Sequence, residues 1–358
     1  HLLYHLYITH MNIIYIVNLK QNNLTDNRLN DMIQLCNKYY SKIKFYVLFN
    51  GLPDVEKKVD DVIKNNNIDL ILCNYGELFI VKTGLPVIII ERYDSCTLTP
   101  NNKKYLKYEN VKALFKEYTC SDIKQNNEEH IKNRLHYTLL NSFYNTELNK
   151  KKHGDIMSQA MIKKIKPVSW NLHQYSFICN AAMDFAKSKE ETDLEKDIDV
   201  FFVCNPHKEH DILYKHRTSG QLKLKESGLC ERYNIKTDHI DNRRKYRETV
   251  IRSKICICPY GLGSRIALDQ LAILSGSIVI KPPMCHINTT PDIYKNDFFE
   301  YVNYDWDDLI EKIKHILSNW DCTYKKKAIE RRRAAIEKYT EKYYVDIFVD
   351  SIKYACQP

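Results

Sequence analysis

Short apolar runs alternate with segments of helical periodicity along most of the chain, and this alternation restricts the fold more than any other feature. The clearest run is Leu-Pro-Val-Ile-Ile-Ile-Glu at residues 85–91, whose interior contains no polar residue. Runs of this kind are typical of parallel strands that are covered by helices on both faces. In the first half of the chain, the predicted strands are residues 11–19, 42–49, 68–73, 85–91 and 111–115, and the predicted helices are residues 27–40, 55–65, 126–144 and 173–188.

The pattern starts again near residue 198, after a charged segment at 187–197 that lacks apolar periodicity and is the predicted linker. The predicted strands of this second series are residues 198–204, 234–239, 253–258 and 277–281, and the predicted helices are residues 218–227, 241–253, 264–275, 305–319, 324–339 and 344–355. Two series of strand–helix units predict an α/β fold with two Rossmann-like domains facing a cleft.

We place the first domain at residues 11–190 and the second at residues 195–343. Residues 1–10 are expected to be an extension outside the fold. Residues 344–358 are expected to form a C-terminal helix that packs back on the first domain. A length of 358 residues allows this division, because domains commonly have 50–250 residues.

A formal net charge of +9 suits an acidic ligand, such as nucleic acid, anionic lipid or a phosphorylated small molecule. The basic residues are dispersed, except for the clusters at 325–327 and 331–333 within the predicted helix 324–339, which is expected to present a solvated face. The composition is that of a globular protein, with 44% hydrophobic and 28% charged residues.

The 12 cysteines include no Cys-x-x-Cys pair and no zinc-type cluster. Cys256 and Cys258 alternate within a predicted strand, which places both on one face as small apolar residues. Buried free thiols favour a cytoplasmic location, with a Golgi or endoplasmic-reticulum lumen as the alternative if the N-terminus is a trimmed anchor. No apolar run reaches membrane-spanning length, so no transmembrane segment is expected.

The segment 253–283 carries the strongest chemical signal of the sequence. A predicted strand ends at Cys258, a loop containing Gly261 and Gly263 follows, and Ser264 is the predicted N-cap of the next helix. Glycines allow close backbone approach, and the free N–H groups of a first helical turn favour an anion. A cation such as Arg265 is unfavourable in the first turn of a helix, because it opposes the helix dipole. Its presence there is explained if the guanidinium binds a phosphate.

Two readings of this segment remain open from the residues alone. The glycines could serve a tight strand–helix turn while Arg265 pairs with a surface carboxylate, since a single Gly-x-Gly matches many unrelated loops. In the other reading the loop binds an anion, and Asp269, one turn later on the same face as Arg265, accepts hydrogen bonds from ribose hydroxyls. Gly276 and Ser277 then allow the next strand to begin close to the ligand.

The order strand, Gly-x-Gly-Ser-Arg, helix, Gly-Ser-x-Val-x-Lys resembles the donor-binding signature of certain GT-B glycosyltransferases. It is most similar to the exostosin family and to the capsule-associated and protein O-glucosyltransferase-like families, which use nucleotide sugars. The resemblance implies that Ser264 and Arg265 bind the diphosphate and that Asp269 binds the ribose. The spacing from Arg265 to Gly276 is longer than in these families, which affects the assignment of Asp269 most.

The resemblance covers about residues 195–350 and therefore implies a GT-B type fold. Residues 198–204 and the following Arg217 are similar to the first strand of a donor domain and its basic residue, and residues 297–302 and 306–317 are similar to its closing part. The donor-binding residues that it implies are Asn205, His207, Arg217, Tyr260, Gly261, Gly263, Ser264, Arg265 and Asp269.

A catalytic base is expected in the first domain, because inverting GT-B enzymes take it from across the cleft. Asp94 is the first candidate and Glu91 the second, since both follow the most apolar strand. A helix cap, or a surface pair of Glu91 with Arg92, explains either carboxylate equally well. His136 and His173 are further candidates, although a single histidine on a helical face is more often structural. Neither the Asp60–Asp61 pair nor the Asp307–Asp308 pair is expected to bind a metal, because each lies in a helical pattern.

The sequence thus predicts a glycosyltransferase that moves a sugar from a nucleotide-sugar donor, a UDP-sugar, to a hydroxyl of a glycan or glycoprotein acceptor. Inversion at the anomeric carbon is implied by the resemblance alone, and the mechanism requires neither a cofactor nor a metal. Two alternatives remain, a GT-B-like nucleotide-sugar epimerase and a non-catalytic nucleic-acid-binding protein on a Rossmann-like scaffold. The dispersed distribution of the Tyr and Lys residues disfavours a nucleic-acid partner.

Overall fold

The computed structural model describes most of the chain, with gaps. The described residues are 10–18, 26–50, 54–74, 78–91, 95–132, 134–144, 150–151, 156–168, 196–205, 208–264, 266–294 and 297–356. Most of the predicted extension at 1–10, the predicted helix 173–188 and almost all of the predicted linker 187–197 lie outside these residues.

The N-terminal domain is built on a six-stranded sheet in which every pairing is parallel. In spatial order its strands are β2 (Ile43–Asn50), β1 (Met11–Asn18), β3 (Leu70–Cys73), β4 (Val87–Glu91), β5 (Val111–Lys116) and β9 (Ile165–Pro167). Its helices are α1 (Asp26–Tyr39), α2 (Val55–Asn65), α3 (Leu78–Lys82), α4 (Pro100–Lys103), α5 (Leu135–Tyr144) and α6 (Gln159–Lys163).

Strand β4 shows why the continuous apolar runs fold as they do. All five of its residues are buried. Ile88 and Ile90 belong to one apolar cluster, whereas Val87 and Ile89 belong to another on the opposite face. Because side chains alternate between the faces of a strand, Val87 to Ile90 contact a core on each face and are all apolar, whereas the buried Glu91 at the end of the strand pairs with Lys116.

The C-terminal domain repeats this architecture with a five-stranded parallel sheet. In spatial order its strands are β11 (Ile235–Lys236), β10 (Ile198–Phe201), β12 (Ser253–Ile257), β13 (Ile278–Lys281) and β15 (Phe299–Tyr301). Its helices are α7 (Asp211–Glu226), α8 (Arg243–Ile251), α9 (Ala267–Leu274), α10 (Leu309–Ser318) and α11 (Lys325–Lys338). Cys256 and Cys258 are both buried in the same apolar cluster, as their alternation predicts.

A two-stranded ribbon and the last helix are among the features that join the domains. Strand β6 (Tyr118–Cys120) of the N-terminal half pairs antiparallel with β14 (Ile287–Thr289) of the C-terminal half. The last helix, α12 (Glu341–Cys356), packs against α1 and β5 of the N-terminal domain. The two Rossmann-like parallel α/β domains confirm the predicted fold class, a GT-B type architecture.

The structure corrects several predicted elements. The predicted helix 126–144 forms only as α5, because the residues before it make a 3-10 turn and β7 (His130–Ile131), which pairs with β8 (Lys150–Lys151). Helix α7 begins at Asp211, seven residues before the predicted start at 218. Helix α11 is not solvated along its whole basic surface, since Arg331 and Arg332 are buried. Arg331 pairs with Glu300, and Arg332 donates a hydrogen bond to the carbonyl of Leu274.

Candidate functional site

The loop after β12 lies at the carboxyl end of the C-terminal sheet, where open α/β folds bind ligands. It starts from Cys258, whose N–H donates to the carbonyl of Ile280 at 2.8 Å. It then turns tightly, with the N–H of Gly261 donating to the carbonyl of Gly263 at 3.0 Å. A Cβ on Gly261 would lie 2.7 Å from Cγ2 of Ile266, so the close approach of these two residues requires glycine.

Arg217 joins this loop to the end of β10. Its Nε donates to the carbonyl of Tyr260 at 2.9 Å, and its Nη1 donates to the carbonyl of Asn205. The side chain is 5% exposed, and burial lowers the pKa of the guanidinium from its usual value. Within the described ranges, no carboxylate lies at ion-pair distance from Arg217. A buried cation therefore stands at the carboxyl ends of two neighbouring strands without a balancing anion among these residues.

The carboxylate of Asp269, near the loop, accepts hydrogen bonds from three residues. It accepts hydrogen bonds from Lys281 Nζ at 3.0 Å, from Tyr294 Oη at 2.8 Å and from the N–H of Ile266 at 3.1 Å. Asp269 and Lys281 are both 0% exposed. The carboxylate thus caps the start of α9 and neutralises Lys281. In this structure it offers no exposed oxygen to a ribose hydroxyl, the role that the resemblance implies.

Ser264 lies in the loop but does not cap the helix. Helix α9 begins at Ala267 with Ile266 at the N-cap position, two residues after the predicted one. The hydroxyl of Ser264 is buried and forms a hydrogen bond of 2.9 Å with Nε2 of His286. The prediction of Ser264 as the N-cap is therefore wrong, because the N-cap is Ile266, whose N–H donates to the carboxylate of Asp269 in the first turn of the helix.

The N-terminal domain contacts the same loop through residues at the start of α5. Arg134 Nη1 donates a hydrogen bond to the carbonyl of Leu262, and Nε2 of His136 lies 3.2 Å from the carbonyl oxygen of Gly261. His136 was a candidate base in the sequence, whereas Arg134 carried no signal there. Both side chains hold the backbone of the loop from across the domain boundary.

Tyr260 is the centre of a buried cluster of rings, which we call the Tyr260 cluster. The rings of His136, His216 and His286 lie 5.5, 5.6 and 5.7 Å from its centroid. Its hydroxyl donates a hydrogen bond to the carbonyl of Pro283, and burial raises its pKa well above the usual value. Sequence reasoning missed His216 and His286, which lie on separate elements far apart in the chain.

Each histidine of the Tyr260 cluster has one buried ring nitrogen without a hydrogen-bond partner among the described residues: Nδ1 of His136, Nε2 of His216 and Nδ1 of His286. Burial is the main cause of a lowered pKa in all three. It lowers the pKa of His216 and of His286 to about 3, and that of His136 well below its ordinary value. All three imidazoles are thus neutral near pH 7.

Glu91, the second candidate base, is engaged in structural contacts. Its carboxylate accepts hydrogen bonds from Lys116 Nζ at 2.8 Å, from Asn102 Nδ2 at 3.1 Å and from the N–H of Thr99 at 3.1 Å. Glu91 is 2% exposed. The carboxylate ties the end of β4 to β5 and α4, which makes it unsuitable for deprotonating an acceptor in this conformation.

The structure brings together Arg217, Asn205, Tyr260 and Gly261, with Gly263 and Ser264 in the same loop. Four candidate residues lie outside the described residues: Asp94, His173, His207 and Arg265. Arg134 and His286 were not predicted, because their partners in the site are 128 and 22 residues away. Lys281 is the last residue of the Gly-Ser-x-Val-x-Lys motif, but the sequence did not show that it pairs with Asp269.

Neither aspartate pair has the surroundings of a metal site. Asp60 and Asp61 lie within α2. Asp307 pairs with Lys223, and Asp308 accepts a hydrogen bond of 2.7 Å from the N–H of Asn303. In the part of the chain that the structure describes, no group of three or more His, Cys, Asp or Glu side chains could hold a metal ion.

No helix among the described residues is long and apolar enough to cross a bilayer.

Comparison with known proteins finds similarity at the level of structure alone. No family model matches the chain, and no curated protein matches it in sequence. A glycosyltransferase from Rickettsia africae is 12% identical over 98% of this chain and 100% of its own, with a TM-score of 0.49. A UDP-GlcNAc 2-epimerase from Neisseria meningitidis, solved with UDP-GlcNAc, is 10% identical over 96% of this chain and 100% of its own, with a TM-score of 0.42.

A glycosyltransferase involved in avilamycin A biosynthesis is also similar, at 10% identity over 97% of this chain and 98% of its own, with a TM-score of 0.40. Identities and TM-scores of this size do not distinguish one activity from another.

Proposed function

We propose that this chain is a glycosyltransferase that takes a nucleotide-sugar donor, a UDP-sugar, and transfers the sugar to a glycan hydroxyl. The observation that carries the proposal is Arg217, a buried arginine without a carboxylate partner among the described residues. It lies where the loop after β12 meets the end of β10. A diphosphate bound there would supply the missing negative charge.

The arrangement of Arg217 suits a diphosphate. Its Nε and Nη1 are used on backbone carbonyls, and no hydrogen bond to a described residue uses Nη2. A Cβ on Gly261 would lie 3.4 Å from Nη2. Because Gly261 has no side chain, a phosphate oxygen can approach Nη2 from this side. A cation at this position would also stabilise the charge that develops on the departing nucleoside diphosphate, without a metal.

The proposed base is Asp94, which follows the last residue of β4 by three positions. It would accept the proton of the acceptor hydroxyl as that oxygen attacks the anomeric carbon, with inversion. Glu91 does not compete for this role, because Lys116, Asn102 and Thr99 already occupy its carboxylate. Arg265 is proposed as a second cationic ligand of the diphosphate.

Donor binding is tested by thermal unfolding of the full chain with UDP, GDP and their sugars. UDP and UDP-sugars should raise the Tm, since a ligand at 100 times its Kd stabilises a protein by about 2.7 kcal/mol. Arg265→Ala and the conservative Arg217→Lys should reduce the shift. Arg244→Ala is the matched control, because Arg244 is exposed and pairs with Glu248 on α8. The donor site would be wrong if no nucleotide raised the Tm of the unaltered chain.

Catalysis is tested by following labelled UDP-sugar in the presence of glycan acceptors. The Asp94→Asn variant should keep the donor-induced Tm shift and lose transfer. Release of free UDP with a new glycosidic bond supports transfer, whereas interconversion of the sugar at C2 without an acceptor would identify an epimerase instead. Salt-dependent binding to single-stranded DNA or RNA, with no response to any nucleotide sugar, would identify a nucleic-acid-binding protein.

A further inference from the structure

Two buried thiols face each other in the N-terminal domain. Cys96 belongs to the segment after β4, and Cys120 is the last residue of β6. Their sulfur atoms are 3.2 Å apart, and the two residues are 0% and 1% exposed. Among the cysteines of the described ranges, this is the one pair whose sulfur atoms lie within hydrogen-bonding distance.

We infer that Cys96 and Cys120 form a reversible disulfide, with a small-molecule disulfide such as oxidised glutathione as the oxidant. A disulfide has an S–S length of about 2.05 Å, so the sulfur atoms need to approach by about 1.2 Å, which side-chain rotation and small backbone shifts can supply. The proposal does not depend on the proposed function.

The reaction is a two-step exchange. The thiolate of one cysteine attacks a sulfur of oxidised glutathione, forms a mixed disulfide and releases one reduced glutathione. The thiolate of the second cysteine then attacks the protein sulfur of that mixed disulfide and releases the second glutathione. The protein loses two electrons and two protons, oxidised glutathione gains them, and one S–S bond replaces another.

Access controls the rate of this exchange. The hydrogen bond to Cys96, followed by burial, raises the pKa of the Cys120 thiol well above its usual value. The thiolate is therefore scarce in the folded structure, and attack requires a local opening that exposes Cys96 or Cys120 to the oxidant. The juxtaposition of the two sulfurs favours the second step, because the resolving thiol is already beside the first.

The disulfide would connect two parts of the candidate site. Cys120 pairs with Ile287 in the β6–β14 ladder, and the N–H of the next residue, Ser121, donates to the carbonyl of His286. His286 in turn binds the hydroxyl of Ser264. Oxidation would thus fix the segment that follows β4 to the strand that positions His286.

The test is peptide mapping of the full chain after incubation in glutathione buffers of stepped ratio, in urea below the unfolding transition so that opening is not limiting. Acid stops the exchange, and free thiols are then alkylated near neutral pH in denaturant, with the alkylating reagent in excess, before proteolysis. We expect a linked peptide containing Cys96 and Cys120, lost again on reduction, and a higher Tm for the oxidised chain than for the reduced chain. Cys96→Ser and Cys120→Ala should each abolish the link and the Tm difference.

Cys256→Ser is the matched control, because Cys256 is equally buried but lies on β12 of the other domain. It should keep the link. The exposed Cys230, Cys285 and Cys322 report that the oxidant is active, since they should acquire glutathione. The proposal is overturned if these three are modified while Cys96 and Cys120 remain thiols, or if either is linked to another cysteine.

Discussion

Two buried cations stand at the carboxyl ends of the C-terminal sheet, and their surroundings differ. Lys281 has the carboxylate of Asp269 at 3.0 Å. Arg217 has two backbone carbonyls and, within the described residues, no carboxylate. An uncompensated buried charge costs several kcal/mol, and an anion bound beside Arg217 would offset that cost. The contrast between the two residues makes Arg217 the more informative one for ligand binding.

Gly261 in the loop after β12 has no room for a side chain without a shift of Ile266. We expect Gly261→Ala to lower the free energy of unfolding by about 1–3 kcal/mol, because the added Cβ would overlap Cγ2 of Ile266. Urea unfolding measures the change. In Gly261→Ala/Ile266→Ala the overlapping methyl group is gone, and the double variant should lose less stability than the sum of the single variants. If the loss in the double variant equalled the sum of the two single losses, the predicted overlap of a Cβ at position 261 with Ile266 would be contradicted.

Asp269 illustrates what a sequence shows and what it omits at this scale. An acidic residue in the first turn of a predicted helix is consistent with a ribose ligand or with a cap. The choice depends on Lys281 and Tyr294, which are 12 and 25 residues further along the chain. Nothing in the residues around Asp269 reveals these partners. The helix could therefore be predicted from the sequence, whereas the hydrogen bonds of the Asp269 carboxylate could not.

At the scale of elements, the long strands and helices follow from the sequence and the two-residue strands do not. Strand β4 was predictable because its apolar residues contact cores on both faces. Strands β7 and β8 consist of two residues each, His130 and Ile131 paired with Lys151 and Lys150. Strands this short cannot show the alternation of apolar and polar residues that predicts a strand. The ladder of β6 with β14 joins residues 167 to 171 positions apart, so neither strand carries a local signal of its partner.

Helix α12 is expected to stabilise the N-terminal domain, although it is the last element of the chain. The ring of Phe348 is fully buried and meets that of Phe115 edge to face, with centroids 6.3 Å apart. Phe348→Ala should lower the free energy of unfolding by about 3–5 kcal/mol through lost burial and the cavity left behind. Chemical denaturation measures this change.

Tyr354→Ala on the same helix is the control, because Tyr354 is 66% exposed. Its cost should stay below about 1 kcal/mol. Equal losses in the two variants would show that α12 does not pack as described.

At the scale of the whole molecule, the Tyr260 cluster draws its histidines from both domains. His136 comes from α5 of the N-terminal domain, and His216 and His286 come from the C-terminal domain. Arg134, Arg217 and Lys281 oppose protonation of these rings, in addition to burial. This part of the contact between the domains therefore contains neutral imidazoles close to cationic side chains.

We expect the free energy of unfolding to decrease with falling pH before the carboxylates of the chain titrate. Below about pH 6.5 the histidines of the unfolded chain bind protons, whereas these buried histidines of the folded chain do not. The free energy of unfolding is therefore highest above that pH and decreases as the pH falls toward 3. Each buried histidine contributes up to about 1.4 kcal/mol per pH unit. Urea unfolding at about pH 7.5 and about pH 5.5, on either side of the ordinary histidine pKa, measures the loss.

His216→Gln should flatten this dependence, since it removes one of the groups that titrate only on unfolding. The same free energy of unfolding at both pH values in the unaltered chain would contradict the burial of the three imidazoles.

The ladder between β6 and β14 limits how the halves can move. Its backbone hydrogen bonds survive only motions that leave the two strands side by side. A rotation of one domain relative to the other that keeps them must turn about an axis near this ribbon. Residues far from the ribbon then travel furthest, and His286, which directly precedes β14, travels least. Such a rotation would keep the hydrogen bond that the Ser121 N–H of the N-terminal half donates to the His286 carbonyl of the C-terminal half, while residues far from the ribbon change their neighbours across the domain boundary.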